Sequence, residues 1–166
     1  MDPGELRGAA IFEGLLEADT ARLFEFARPV PCREGDYLFR LGDAADRLYV
    51  VLTGRVELTF PLALGSVTRE VPFESRARGS TVGWSALVDP YRFTLSARAA
   101  ESSDLAAFPR EELFRLFEAE PRIGHVVMRR IAEIVGRRLL QMQALWVREL
   151  QRAVTDSLAA ATAARR

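Results

Sequence analysis

Arg33-Glu34-Gly35-Asp36-Tyr37-Leu38-Phe39-Arg40-Leu41-Gly42-Asp43-Ala44-Ala45-Asp46-Arg47-Leu48-Tyr49-Val50-Val51-Leu52-Thr53-Gly54-Arg55-Val56-Glu57-Leu58 is the stretch on which the fold turns. Gly35-Asp36 and Gly42-Asp43 are turn signals, and Gly54 is a third break. Between them the apolar period is two. Tyr37, Phe39 and Leu41 alternate with Leu38 and Arg40, and Val56, Leu58 and Phe60 alternate with Arg55, Glu57 and Thr59. Leu48-Tyr49-Val50-Val51-Leu52 does not alternate at all; it is a β-rich apolar run fit for a strand buried on both faces.

The same period extends outward, from about residue 30 to 108. Val67, Arg69 and Val71 lead to Phe73, then Phe93, Leu95 and Ala97 alternate with Thr94, Ser96 and Arg98, and Leu105 to Phe108 closes the set. Gly65 and Gly79 supply further turns. Short strands at such spacing predict a sandwich or barrel, here a β-roll. Upstream, Ile11, Leu15, Leu16, Leu23, Phe24 and Ala27 recur at helical spacing, with Asp19 or Thr20 as a cap, until Pro29 and Pro31 end the helical region. Downstream, Leu113, Leu116 and Phe117 predict a short helix. Pro121 then suits the first turn of a longer one, running from about 121 to at least 150. The expected division is residues 1–120, the β-roll with its N-terminal helices, and 121–166, the long helix and tail.

Along that helix Met128, Ala132, Val135, Leu139, Met142 and Trp146 follow at steps of 4, 3, 4, 3 and 4, and Ile131 and Leu145 widen the stripe. This is coiled-coil seam spacing. The stripe either packs on its own β-domain or forms a parallel homodimer seam. Helix length favours the seam, because ~30 residues span ~45 Å and overshoot a domain this small.

Composition removes several function classes. The chain has 166 residues, 49% hydrophobic and 28% charged, which describes an ordinary globular protein. All 23 basic residues are arginine, so neither a P-loop lysine nor a Schiff-base lysine exists. One cysteine (Cys32) excludes an intrachain disulfide, and one histidine (His125) excludes a three-histidine zinc site. No spacing unites nucleophile, base and orienting acid, so no enzyme is expected. The N-terminus lacks signal-peptide character and no apolar run reaches a membrane span, so a cytoplasmic protein without membrane attachment is expected. The zero net charge hides an asymmetry: residues 1–121 carry 14 arginines against 20 acids, residues 122–166 carry 9 against 3. Arg129, Arg130, Arg137 and Arg138 beside the seam therefore suggest an acidic partner surface.

The block quoted above strongly resembles the cyclic nucleotide-binding domain, the sensory part of the catabolite activator and FNR-like regulators. The resemblance covers roughly residues 10–145. It implies a mainly β fold with flanking helices: a double-stranded β-helix, or jelly roll, with N-terminal helices and a long C-terminal dimerisation helix. It also implies a small ligand inside the roll, a cyclic nucleotide or another small anion.

In that family a phosphate-binding cassette reads Gly-Glu-Leu-Ala-Leu, a short gap, then arginine and two small residues. The matching segment is Gly83-Trp84-Ser85-Ala86-Leu87-Val88-Asp89-Pro90-Tyr91-Arg92-Phe93-Thr94. Gly83, Ala86, Leu87 and Arg92 fit. A helical turn near Ser85 would offer amides to an anion, and Arg92 a charge-assisted fork. Trp84 stands where the family's ribose-binding glutamate would be, and an indole only donates hydrogen bonds. Phe93 and Thr94 replace the small pair. The residues expected at a ligand are thus Gly83, Trp84, Ser85, Ala86, Arg92, Phe93 and Thr94. The plainer readings are a surface arginine on a strand for Arg92 and core filling for Trp84, while His125 lies on the helix surface or in an interface and Cys32 is an inert thiol.

Two functions compete. The chain is a ligand-sensing regulatory module that signals through its long helix to a partner, with a degenerate cassette. Alternatively it is a ligand-free scaffold or interaction protein on the same fold, its pocket closed by Trp84. A transcription regulator acting with a partner is a third reading. The alanine-rich stretch after Leu150 leaves no room for a helix-turn-helix, so direct DNA binding is not expected.

Overall fold

The fold rests on a computed structural model that describes residues 3–6 and 8–163. Its eight strands are β1 (Arg28–Cys32), β2 (Tyr37–Phe39), β3 (Arg47–Thr53), β4 (Arg55–Leu64), β5 (Val67–Ala77), β6 (Thr81–Val82), β7 (Ser96–Ala99) and β8 (Ser103–Pro109). The α-helices are α1 (Glu17–Glu25), α2 (Arg110–Ala119) and α3 (Pro121–Ala163). Short 3-10 turns span Pro3–Leu6, Ala10–Phe12 and Trp84–Leu87.

The apolar run of β3 lies where its composition requires, inside a four-stranded antiparallel sheet of order β1-β8-β3-β6. Tyr49 and Val51 face the interior of the roll with Cys32, Leu105 and Ala107. Leu48 pairs with Phe108, whose ring takes edge contacts from Phe12 at 5.3 Å and Phe26 at 6.3 Å. Both faces of β3 are therefore dry, one against the roll and the other against the N-terminal segment. The second sheet, β2-β7-β4-β5, closes the roll from the opposite side and contributes Phe39, Val56, Leu58, Ala97 and Ala99 to the same core. This is the mainly β jelly roll with flanking helices that the sequence predicts.

One alternation does not run as read. Opposite Leu58 and Thr59 a bulge puts one extra residue, Phe73, into β5, which steps from Glu74 to Pro72 while β4 advances by one. Leu58 and Thr59 are both buried, while Phe60, one residue past the last pairing with β7, is exposed. β4 pairs with β7 only from Val56 to Thr59. From there β4 and β5 continue as a two-stranded ribbon, and Val67 and Val71 are exposed on it.

Gly54 makes the β3–β4 turn at φ +75°. A Cβ there would lie 2.5 Å from the Ser102 carbonyl oxygen and 2.8 Å from Ser103 Cα, so both handedness and space demand glycine. At the start of α1 the cap works differently from the expectation. The helix begins at Glu17, and Asp19, in its first turn, reaches back to accept the Leu16 amide at 2.8 Å, while Thr20 donates to the Leu16 carbonyl at 3.3 Å. Arg122, one residue into α3, pairs with the same carboxylate and ties the two helix starts together.

α2 and α3 meet at Pro121, and Gly124 allows close approach to Phe117, whose Cβ would stand 2.9 Å from a Cβ added there. The chain divides into two compact units, Met1–Arg130 and Ile131–Arg166. The first turns of α3 belong to the first unit, with Ile123 and Val127 buried. In the second unit the helix continues to Ala163. Among the described residues no helix is long and apolar enough to cross a membrane.

Two outcomes follow for stability. Gly54→Ala combines a left-handed backbone with a backbone clash and is expected to cost about 2–5 kcal/mol, read as a lower urea midpoint at unchanged slope. Burial pushes the Asp19 carboxyl up, but the hydrogen bond from Arg122, the Leu16 amide and the charges of Arg122 and Arg22 outweigh it. The net result lies below the ordinary 3.8. Its stabilisation is complete above that value and is lost as pH falls through the lower folded-state value. Asp19→Asn is therefore expected to be less stable than wild type at pH 7, with the gap closing below about pH 4 in thermal melts.

Candidate functional site

Gly83 follows β6 at φ +78° and opens the 3-10 turn Trp84–Leu87. Ser85, Ala86 and Leu87 are buried, and Trp84 is half-buried. The Ala86 amide already donates to the Gly83 carbonyl at 3.0 Å, so the turn holds itself closed. What crowds Gly83 is protein. A Cβ on it would meet the Phe93 ring at 3.0 Å, the Arg47 carbonyl at 3.3 Å and the Phe39 ring at 3.4 Å.

Phe93 and Phe39 stack nearly parallel, with ring centroids 3.6 Å apart at 10°. Tyr49 adds a tilted ring 5.9 Å from Phe39. Together the three rings occupy the inner face of the roll under Gly83. Burial pushes the Tyr49 hydroxyl up to about 12, with the nearby Arg47 charge opposing and Asp46 and Cys32 reinforcing the rise. The Cys32 thiol is likewise raised, by burial first and then by the Asp36 and Asp104 charges, so it stays protonated and unreactive.

Arg92 is the residue the cassette reading depends on, and extended backbone sends it away from Phe93. The strip 91–93 is stitched to the turn 42–45: Ala45 donates to the Tyr91 carbonyl, Phe93 to Asp43 and Gly42 to Phe93, at 2.8, 3.0 and 2.8 Å. Alternation along this strip places Phe93 inside and leaves Arg92 exposed. The Arg92 guanidinium donates to the Gly42 carbonyl at 2.9 Å. Thr94 is exposed as well. Of the seven expected ligand residues, Gly83, Ser85, Ala86 and Phe93 come together inside the roll, Trp84 sits at its edge, and Arg92 and Thr94 face outward.

The turn between them is shaped by Tyr91 at φ +55°, a conformation rare outside glycine. Its ring lies under the Arg110 guanidinium at 4.7 Å and against Phe114 at 6.3 Å. On the other side of the strip, Asp46 and Arg47 form a two-point pair at 3.0 and 2.7 Å. The hydrogen bond from Arg47 is the chief reason the Asp46 carboxyl lies below its ordinary value.

Sequence reasoning missed two features. The Phe39–Phe93 stack was visible only as two inward residues on separate alternating segments, and nothing in the order of residues says that they meet. A groove of about 880 Å3 near the N-terminus, lined by Leu6, Ala9, Phe12, Leu15, Thr20 and Ala21 among others, had no signal at all. It forms where the 3-10 turn Ala10–Phe12 stands in place of the first part of the expected helical region. Of the expected seam residues, Met128, Ala132, Leu139, Met142, Leu145 and Trp146 are exposed, Val135 is half-buried and Ile131 is buried. Among the described residues no three His, Cys, Asp or Glu side chains converge to hold a metal ion.

Comparison with known proteins agrees with this architecture. The model of the cyclic nucleotide-binding domain matches residues 29–120. A cyclic AMP receptor protein of Thermus thermophilus is 31% identical over 136 residues, which are 81% of this chain and 59% of that protein. The present chain thus spans about three-fifths of that relative's length. The crystal structure of the Thermus thermophilus catabolite activator protein superposes with a TM-score of 0.70 at 25% identity, covering 82% of this chain and 62% of that one. The N-terminal domain of a transcriptional regulator from Streptomyces coelicolor A3(2) gives 0.67 at 27%, covering 80% and 93%. With the matched segment taking more than half the chain, and with two packed sheets and a long helix following them in sequence, this chain belongs to the cyclic nucleotide-binding domain family.

Proposed function

We propose that this chain is a regulatory module whose roll serves as a closed scaffold and whose long helix carries the interaction with its partners. The observation behind this reading is the Phe39–Phe93 stack packed against Gly83, with Arg92 turned outward. An anionic ligand held at that glycine needs a cation and a hydrogen-bond acceptor for its sugar. Here the interior presents aromatic rings, and Trp84 brings an indole that only donates. Admitting a nucleotide would require unstacking the rings and exposing their apolar area, about 1–3 kcal/mol per ring before any contact is made.

The sensing reading retains one support. Arg92 is held by a neutral carbonyl, and an exposed arginine on a single such bond is free to swing. In that version a small anion displaces Phe93, Arg92 turns in, and the long helix shifts relative to a partner, which demands that the ligand favour one arrangement. Both versions are regulatory and need no catalysis, and both suit the cytoplasm, where a lone protonated thiol is stable.

Isothermal titration with cAMP and cGMP separates them. Wild type is expected to show no binding at millimolar nucleotide. Phe93→Ser combined with Trp84→Glu, which opens the stack and restores an acceptor, is expected to gain measurable affinity. Micromolar binding by wild type that Arg92→Ala abolishes would establish the sensing version instead.

For the helix, the proposed partner is first a second copy. Leu139, Met142 and Trp146 keep seam spacing and all are exposed, with Trp146 at 67%. Light scattering is expected to give twice the chain mass. Leu139→Ser with Met142→Ser should reduce it to one chain mass while the circular dichroism of the roll is unchanged. A wild-type monomer at high micromolar concentration would count against the seam.

A further inference from the structure

The second unit exposes more apolar surface than a two-helix seam covers. Leu140, Val147, Leu150 and Val154 follow at steps of 7, 3 and 4, and each is exposed, Leu140 at 67% and Val154 at 58%. On a helix turning about 100° per residue this second stripe lies roughly 90° round from the line of Leu139, Met142 and Trp146. A two-stranded coil buries mainly the seam positions, so the second stripe stays wet in a dimer. It also runs past the point where the seam lapses, at Glu149, which pairs with Arg152. A row of this kind, polar on its outer edge, marks a binding face.

The outer edge is basic. Arg137 and Arg148 are eleven residues apart, three helical turns, and so stand on one line beside the stripe. Both are exposed and have no hydrogen-bond or ion-pair partner among the described residues. Arg130, by contrast, is held by Glu13 at 3.1 Å and cannot serve in the same way. The other residues along that edge, Gln141, Ala144, Gln151 and Thr155, carry no charge. Packing a second dimer on this stripe would set these arginines against their own copies, which like-charge repulsion opposes. Charge complementarity selects a different occupant.

We propose that Leu140, Val147, Leu150 and Val154, bordered by Arg137 and Arg148, form a docking face for an acidic amphipathic helix of a partner protein. This deepens the helix-mediated reading above and rests on it. The apolar side of the incoming helix covers the four aliphatic residues, and its carboxylates reach the two guanidiniums. A bidentate fork to carboxylate is the interaction for which arginine is suited.

The test uses the full chain and two labelled four-heptad peptides with leucine cores, one with glutamate and one with lysine at the flanking positions. Fluorescence anisotropy reads binding, and light scattering on the same samples reads mass. The glutamate peptide is expected to bind with micromolar Kd and the lysine peptide at least tenfold more weakly. Arg137→Gln with Arg148→Gln should weaken the glutamate peptide by roughly three- to thirtyfold and leave the mass unchanged. Leu140→Ser with Val147→Ser should abolish binding, also at unchanged mass and helicity.

The proposal is overturned by equal binding of the two peptides, or by binding indifferent to both double variants. It is also overturned by a tetramer that Leu140→Ser and Val147→Ser return to a dimer. Peptide binding lost instead in Leu139→Ser with Met142→Ser would place the peptide on the seam and overturn it too. Failure of the homodimer reading registers separately, as a monomer mass in the absence of peptide, and failure of the closed-roll reading registers only in nucleotide titration.

Discussion

Strand β3 has no side on which water is tolerable, and the first unit is arranged around that demand. Five consecutive apolar residues, Leu48 to Leu52, cannot all be hidden by one layer, because successive side chains point to opposite faces. One set needs a second sheet, which β2, β7, β4 and β5 supply through Phe39, Val56, Leu58 and Ala97. The other set needs a cover outside the roll, which the N-terminal segment supplies through Phe12 and Phe26 around Phe108. The tight turn at Gly54 then becomes obligatory, since β3 must pass into the opposite sheet within one residue and beside the Ser102–Ser103 backbone.

That same packing decides the character of the candidate site. The turn opened by Gly83 lies against the roll interior, so a large side chain entering beneath it fills the space there. Phe93 takes that volume, and Phe39 and Tyr49 complete an aromatic floor. The backbone bonds between the strips 91–93 and 42–45 hold the alternation in phase, so placing Phe93 inside carries Arg92 outside. In the second unit the exposed residues of α3 are apolar over a wide sector.

Much of this was legible in the order of residues. Period-two alternation, glycine-aspartate turns and the β3 run located the strands. Pro121 marked the start of α3, and the 4-3 stepping marked an apolar stripe of which Leu139, Met142 and Trp146 are exposed. These features are local: each depends on backbone geometry within a few residues. Asp19 shows the limit at short range, because a carboxylate near a helix start serves as the cap itself or reaches back from the first turn, and only the observed start at Glu17 distinguishes the two. The far half of β4 shows it at medium range. The period of two runs on through Phe60, yet β7 stops pairing at Thr59 and Phe60 is left in solvent.

The sequence by itself therefore determined the class of fold, the strand and helix inventory, the family and the departures at Trp84 and Phe93, because hydrophobic period, turn chemistry and motif spacing are written in neighbouring residues. Only the tertiary structure decided that Phe93 meets Phe39 across the roll, that Arg92 faces outward onto Gly42, and that Arg130 is tied to Glu13 while Arg137 and Arg148 have no partner among the described residues. Those outcomes join residues between 50 and 117 positions apart. Which distant side chains share a volume or a charge is set by how the sheets close, and no local pattern encodes it.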